Sequence, residues 1–280
     1  MFNFNLNVLD LMLSLENPVL TFLFKWISKL ASETLYLIII SMIYWCISKR
    51  KAFHMINVIC LTGYISIITK GFLKIPRPFT YDGIHSLYEE SAKGYSFPST
   101  HVQLATTFWS SLMVLFKKKI VYLIGIVFIV LVAISRLYLR VHWFSDVVGS
   151  IILGVVIIYL YVKFIVKISD RKLLFLQWGI VMFSLIAYYF TDQVDNFKLL
   201  GITTGTTMGM ILENKFVNIN EKNVFIVQVC KIIIGIIIIM AMQVILKKSI
   251  PDLIFVRYAL VGFSITFICP YVFRIFRIHR

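Results

Sequence analysis

Long apolar runs separated by short polar breaks dominate the chain. After a mixed opening, runs cover roughly 34–48, 53–73, 101–116, 120–139, 143–165, 174–191, 196–212, 224–246 and 253–273. They are continuous and do not alternate with a period of two, so they predict membrane helices rather than barrel strands. Residues 6–31 read differently. Leu, Phe and Trp there are mixed with Asp10, Glu16, Lys25 and Lys29, and Asn17-Pro18 interrupts the run. That pattern predicts two short amphipathic helices lying at the interface, not a full span. The expected fold class is an all-α, polytopic membrane helical bundle. Three segments are expected: an interfacial one over 1–33, a core over 34–170 that carries the polar patches, and a transmembrane extension over 171–280.

Composition supports this reading. Hydrophobic residues make up 60% of the 280 residues and charged ones only 15%. A net charge of +15 would suit nucleic acid, but its placement in short clusters between apolar runs fits the positive-inside rule instead. No nucleic-acid partner is expected; the bilayer is. Alternate loops on one side hold Lys49-Arg50-Lys51, Lys117-Lys118-Lys119, Lys163, Lys167, Arg171, Lys172, Lys215, Lys222, Arg274, Arg277 and Arg280. The opposite loops hold fewer cations (Lys70, Lys74, Arg77, Lys93, Arg136, Arg140, Lys198, Lys247 and Lys248) and most of the loop carboxylates. The richer side is therefore expected in the cytoplasm, with the polar patches facing outward. Cys46, Cys60, Cys230 and Cys269 show no paired spacing, so neither a disulfide framework nor a metal cluster is expected. The start has no basic leader or small-residue cleavage site, and no cleavable signal peptide is expected.

Gly201, Gly205 and Gly209 recur every fourth residue among Thr203, Thr204, Thr206 and Thr207. This small-xxx-small face predicts close helix packing rather than a ligand-lining wall.

Three polar patches remain. Ser135–Asp146 reads S-R-L-Y-L-R-V-H-W-F-S-D, and a helix starting near His142 would put His142 and Asp146 on one face. Lys70–Pro78 reads K-G-F-L-K-I-P-R-P. Pro98-Ser99-Thr100-His101 stands where the third run begins, and Ser99 or Thr100 is expected to cap a helix whose free amides face outward. Lys70, Arg77 and Arg136 beside such a terminus make an anion site suited to phosphate. Two histidines supply a nucleophile and a proton donor, and Asp146 can orient the first.

Together these patches fit K-x-x-x-x-x-x-R-P, P-S-x-H and S-R-x-x-x-x-x-H-x-x-x-D. They resemble the tripartite signature of the type 2 phosphatidic acid phosphatase superfamily, over roughly residues 34–166. The resemblance implies a six-helix-type core and an integral membrane phosphatase acting on a lipid phosphate or diphosphate without metal or other cofactor. It implies a phosphohistidine on His142, with Asp146 as its partner and His101 as general acid. Lys70, Arg77, Ser99, Thr100 and Arg136 would bind phosphate. Thr100 stands where the family usually has Gly, and this P-S-T-H form is similar to that of the sphingoid-base-phosphate branch. Candidate substrates are undecaprenyl diphosphate, phosphatidate or phosphatidylglycerophosphate, and a sphingoid-base phosphate. A plasma-membrane location with the site on the extracytoplasmic face is expected. A lipid-linked phosphotransferase and a lipid transporter with a headgroup-binding cleft stay open as alternatives, as does self-association.

His54, His85 and His279 have no matching partners and are expected at interfaces or in loops. Arg140 and Lys74 are expected to snorkel toward the interface. Asp82, Glu89 and Glu90 read as a solvated loop face, and Tyr81, Tyr88 and Tyr95 as an aromatic belt.

Overall fold

The computed structural model describes residues 2–187 and 193–278. The last part of the run expected over 174–191, together with His279 and Arg280, lies outside the described residues. Twelve α-helices are described: α1 (Phe2–Ser14), α2 (Pro18–Leu30), α3 (Glu33–Cys46), α4 (Lys49–Leu73), α5 (Thr100–Phe116), α6 (Lys119–Tyr138), α7 (Phe144–Phe164), α8 (Asp170–Ala187), α9 (Gln193–Leu212), α10 (Phe225–Ser249), α11 (Ile254–Phe263) and α12 (Cys269–Ile275). The protein is all-α and polytopic. Among the described helices, five segments are long and apolar enough to cross a membrane: Lys49–Thr80, Lys119–Tyr138, Phe144–Phe164, Phe225–Ser249 and Ile254–Ile275. The pair α2 and α3 passes the same test jointly, bent by 49° at the break between them. The expectation is instead that residues 6–31 form two short helices lying at the interface. The apolar pattern of α2 runs on into α3, and the bend falls at Ala31-Ser32.

The turn between α1 and α2 follows the sequence signal. Asn17 Oδ1 accepts from the Leu20 amide at 2.9 Å and Pro18 takes the first helical position, where its missing N–H costs nothing.

The chain forms two compact units. The first comprises Met1–Tyr36 and Ile65–Phe164, and all three polar patches belong to it. In its interior Tyr36 stacks on Phe108 with ring centroids 4.3 Å apart. The loop of residues 74–99 packs through Phe79, Leu87, Tyr88 and Ala92 against Tyr138, Leu139 and Val141. Tyr88 is thus half-buried in packing rather than part of an interfacial belt.

The second unit comprises Leu37–Tyr64 and Ile165–Arg280. Its α9 and α11 touch backbone to backbone. A Cβ on Gly201 would lie 2.5 Å from the Phe255 carbonyl oxygen, one on Gly205 would overlap the Ala259 carbonyl, and one on Gly209 would overlap Thr266 Oγ1. The threonines between them turn back on their own helix. Thr203 donates to the Leu199 oxygen at 2.7 Å, Thr206 to Ile202 at 2.7 Å and Thr207 to Thr203 at 2.6 Å. They serve packing. His54 is buried within α4, 3% exposed, not interfacial: α4 is covered on that side.

Candidate active site

The site is built where the ends of α4 and α6 and the starts of α5 and α7 meet the loop of residues 74–99. The end of α6 turns sharply because Arg140 adopts the left-handed conformation, φ 54°. The Arg140 amide donates to the Leu137 oxygen at 2.9 Å and the Val141 amide to the Arg136 oxygen at 3.3 Å, a Schellman closure formed without glycine. A non-glycine residue there costs on the order of 1–2 kcal/mol. The Arg140 side chain offsets it, with Nη1 on Glu16 Oε2 at 2.7 Å and Nε on the His85 oxygen at 2.6 Å. Arg140 therefore does not snorkel. It is 4% exposed and ion-paired. Lys74 is exposed and closes α4, also in the left-handed region.

His142 follows at once, in the turn before α7, and the helix begins two residues later than expected, at Phe144. Asp146 lies in its first turn and accepts from the Trp143 amide at 2.9 Å, as a carboxylate three residues into a helix does in a capping box. The same Oδ2 lies 3.6 Å from His142 Nδ1. Ser96, fully buried, donates to that oxygen and sits 3.5 Å from Nδ1. Sequence reasoning missed this serine. It belongs to the loop, 50 residues from Asp146, and no spacing rule links the two.

At the other ring nitrogen, Arg77 Nη1 lies 3.1 Å from His142 Nε2. A guanidinium can only donate, so Nε2 is the unprotonated nitrogen and the ring proton of the neutral imidazole sits on Nδ1, toward Ser96 and Asp146. Burial, then the charges on Arg77, Arg136, Lys70 and His101, hold the His142 pKa well below the usual histidine value. Arg77 is fixed by backbone carbonyls: Nε on Gly94 at 2.8 Å, Nη1 on Val141 at 2.8 Å and Nη2 on Lys93 at 2.7 Å. Its fork is thus mostly engaged.

The P-S-T-H patch starts α5 as expected, with Ser99 at the N-cap position, but the Ser99 side chain makes no capping bond. Its amide donates to Ser150 Oγ at 2.7 Å, and Ser150 donates to the Asp146 oxygen at 2.5 Å, tying α5 to α7. Ser99 Oγ is buried with no hydrogen-bond partner among the described residues, and so is Arg136 Nε. Thr100 Oγ1 pairs with Ser66 Oγ at 3.1 Å and Thr100 has no positive φ, so the α5 start does not require the usual glycine. Lys70 donates to the Tyr95 oxygen at 2.7 Å. Arg136 is 0% exposed and His101 half-buried.

The arrangement therefore offers a neutral imidazole nitrogen beside a guanidinium, with two orphaned buried donors in the same unit. The sequence profile described as the PAP2 superfamily matches residues 51–170, and that described as the PAP2 superfamily phosphatase, transmembrane extension, matches 197–280. The chain belongs to the PAP2 superfamily. The PAP2 match takes in Lys70 through Asp146 and leaves α1, α2 and α3 outside both matched stretches. Among curated relatives, sphingosine-1-phosphate phosphatase 2 of Mus musculus is 25% identical over 72% of this chain, which spans 61% of the mouse protein's length. An undecaprenyl-diphosphatase of Bacillus subtilis (strain 168) is 26% identical over 54% of this chain and 78% of its own. The crystal structure of a transmembrane PAP2 type phosphatidylglycerolphosphate phosphatase from Bacillus subtilis is similar at TM-score 0.50 and 26% identity, covering 60% of this chain and 87% of that one.

Asp82, Glu89 and Glu90 are exposed in the loop of residues 74–99, the solvated face anticipated for them.

Proposed function

We propose that this PAP2 protein is an integral membrane phosphatase that hydrolyses a lipid phosphate or diphosphate through a phosphohistidine on His142, without a metal. The observation that carries the reading is the Arg77–His142 contact. It leaves the Nε2 lone pair on the face where a positive clamp stands, with the Nδ1 proton directed toward the carboxylate. As phosphate enters, the Arg77 N–H on Nε2 passes to a phosphoryl oxygen. Nε2 then forms the N–P bond as the ester P–O bond breaks, and His101, which takes up a proton beside the negative charge of the bound phosphate, gives that proton to the leaving alcohol. The imidazolium so formed is stabilised by Asp146, through Nδ1. Ser99 Oγ and Arg136 Nε supply donors for the phosphoryl oxygens, and Lys70 adds a point charge. Water, deprotonated by His101, then attacks phosphorus and releases inorganic phosphate. The names of the relatives divide among sphingoid, polyprenyl and glycerolipid phosphates, so the substrate class proposed is the amphiphilic phosphate ester.

The test is phosphate release by purified protein from a panel of these lipid phosphates with EDTA present. Release by the wild type and its loss in His142→Ala supports the reading. Unchanged function in His142→Ala favours a transporter, and phosphoryl recovered on a second lipid instead of in solution favours a transferase.

We place the site on the extracytoplasmic side of the plasma membrane, from the clustering of Lys and Arg in the alternate loops. Cysteines placed at Asp82 and at Lys118, in a Cys230→Ser background, test this with an impermeant thiol reagent on intact cells. Labelling at 82 and not at 118 is expected; the reverse pattern overturns the placement.

A further inference from the structure

We propose that the N-terminal helix pair α1–α2, which lies outside the matched family regions, is part of the active site, and that Ser28 is a positioning residue which sets the Arg136 guanidinium for phosphate. This rests on the reading of Arg136 as a phosphate ligand.

The pair grips the His142 segment on both sides. Before His142, Tyr138 OH accepts from the Asn17 amide at 3.0 Å and Arg140 pairs with Glu16 at 2.7 Å. After it, the Ser145 amide donates to Asn5 Oδ1 at 3.2 Å, and Phe4 meets Phe144 edge-on at 5.3 Å. Met12, Leu20 and Phe24 pack on the same cluster as Tyr138, Leu139 and Val141. An amphipathic pair resting at the interface would keep its polar side chains in water. Here Ser28 is 1% and Asn5 8% exposed, and both are directed at this segment.

Ser28 acts on the clamp itself. Ser91 takes one edge of the Arg136 fork, Oγ accepting from Nη1 at 3.1 Å and the carbonyl from Nη2 at 3.2 Å, while Ser28 Oγ accepts from Nη1 at 2.5 Å. Those contacts fix the guanidinium plane. They leave Nε unpartnered among the described residues, and Nε–H together with the second hydrogen of Nη2 forms the side edge of the fork, whose spacing matches two phosphoryl oxygens. Without Ser28, Nη1 loses one of its two acceptors and the plane is set by a single residue of a loop.

The experiment titrates inorganic phosphate against full-length wild type, Ser28→Ala and Ser28→Thr by thermal shift in detergent, alongside lipid-phosphate kinetics. One charge-assisted hydrogen bond sets the expected size: Ser28→Ala weakens phosphate binding and raises KM by about tenfold, with kcat changed far less. Ser28→Thr keeps the hydroxyl and stays near wild type. If Ser28→Ala does not fold, Ser28→Thr against the isosteric Ser28→Val makes the same comparison. Equal phosphate affinity with and without the hydroxyl overturns the proposal while wild-type hydrolysis leaves the phosphatase reading standing. A tenfold affinity loss in a protein that binds phosphate but does not hydrolyse lipid supports the clamp and removes the enzymatic reading. A wild type that binds no phosphate overturns both.

Discussion

At the scale of single residues, the proposed chemistry depends on which nitrogen of His142 holds the proton. Arg77 decides it, because its N–H reaches Nε2 at 3.1 Å and cannot accept. The same cation, after burial, is the first of the charges that lower the His142 pKa. The sign follows directly. Attack needs the neutral ring, so the acid limb of kcat/KM for the free protein falls below the ordinary histidine value of about 6.5. Replacing Arg77 with Gln removes a positive charge beside the ring, raises its pKa and moves that limb upward toward about 6.5. Activity at the plateau drops about 100-fold or more with the lost clamp. A limb that stays in place or moves to more acid pH contradicts this role for Arg77. Stability shares the same linkage: the unfolded chain takes up the His142 proton more readily than the folded one, so stability declines as pH falls below about 6.5. The residues proposed for catalysis stand out in the sequence because Lys, Arg, His and Asp are rare in apolar runs. Ser96 and Ser28 were not. A lone serine has no cost that singles it out, and each reaches its partner only after folding, 50 and 108 residues away. Arg140 is illegible for a related reason: its partner Glu16 lies in the break between α1 and α2, 124 residues off.

At the scale of elements, helix existence follows from apolar length, but helix ends follow from local hydrogen bonding. Asn17-Pro18 announced its turn because both residues carry specific backbone chemistry. The bend between α2 and α3 falls at Ala31-Ser32, which has neither proline nor glycine, so the sequence carries no sign of where α2 turns into α3. The start of α7 was off by two residues because the period places His142 and Asp146 on one face whether or not His142 is itself helical. The repeat of Gly201, Gly205 and Gly209 was legible, since small residues every four positions allow backbones to touch. Gly205 is the tightest of these approaches, against the Ala259 carbonyl. Gly205→Leu is therefore expected to cost about 1–3 kcal/mol or more through overpacking. A thermal melt of the purified variant checks it, and an unchanged midpoint would remove close α9–α11 packing from the account. Gly63→Ala offers a milder comparison, because the atoms its Cβ meets are the flexible end of Leu199.

For the molecule as a whole, the apolar runs made an all-α membrane protein readable from sequence. The composition of the two compact units was not. Leu37–Tyr64 groups with Ile165–Arg280, a pairing between distant stretches that leaves no periodic trace. All the residues assigned to catalysis nonetheless fall in one unit, with the N-terminal pair and the loop of residues 74–99 around them. The central claim is that this unit transfers phosphate to His142. Rapid quenching of the wild-type protein with a turning-over lipid phosphate in EDTA, followed by peptide mass spectrometry, tests it most directly. An acid-labile, base-stable phosphoryl group is expected on the peptide containing His142, and none in His142→Ala. Turnover with no phosphoenzyme, or phosphate found on a different residue, would contradict it.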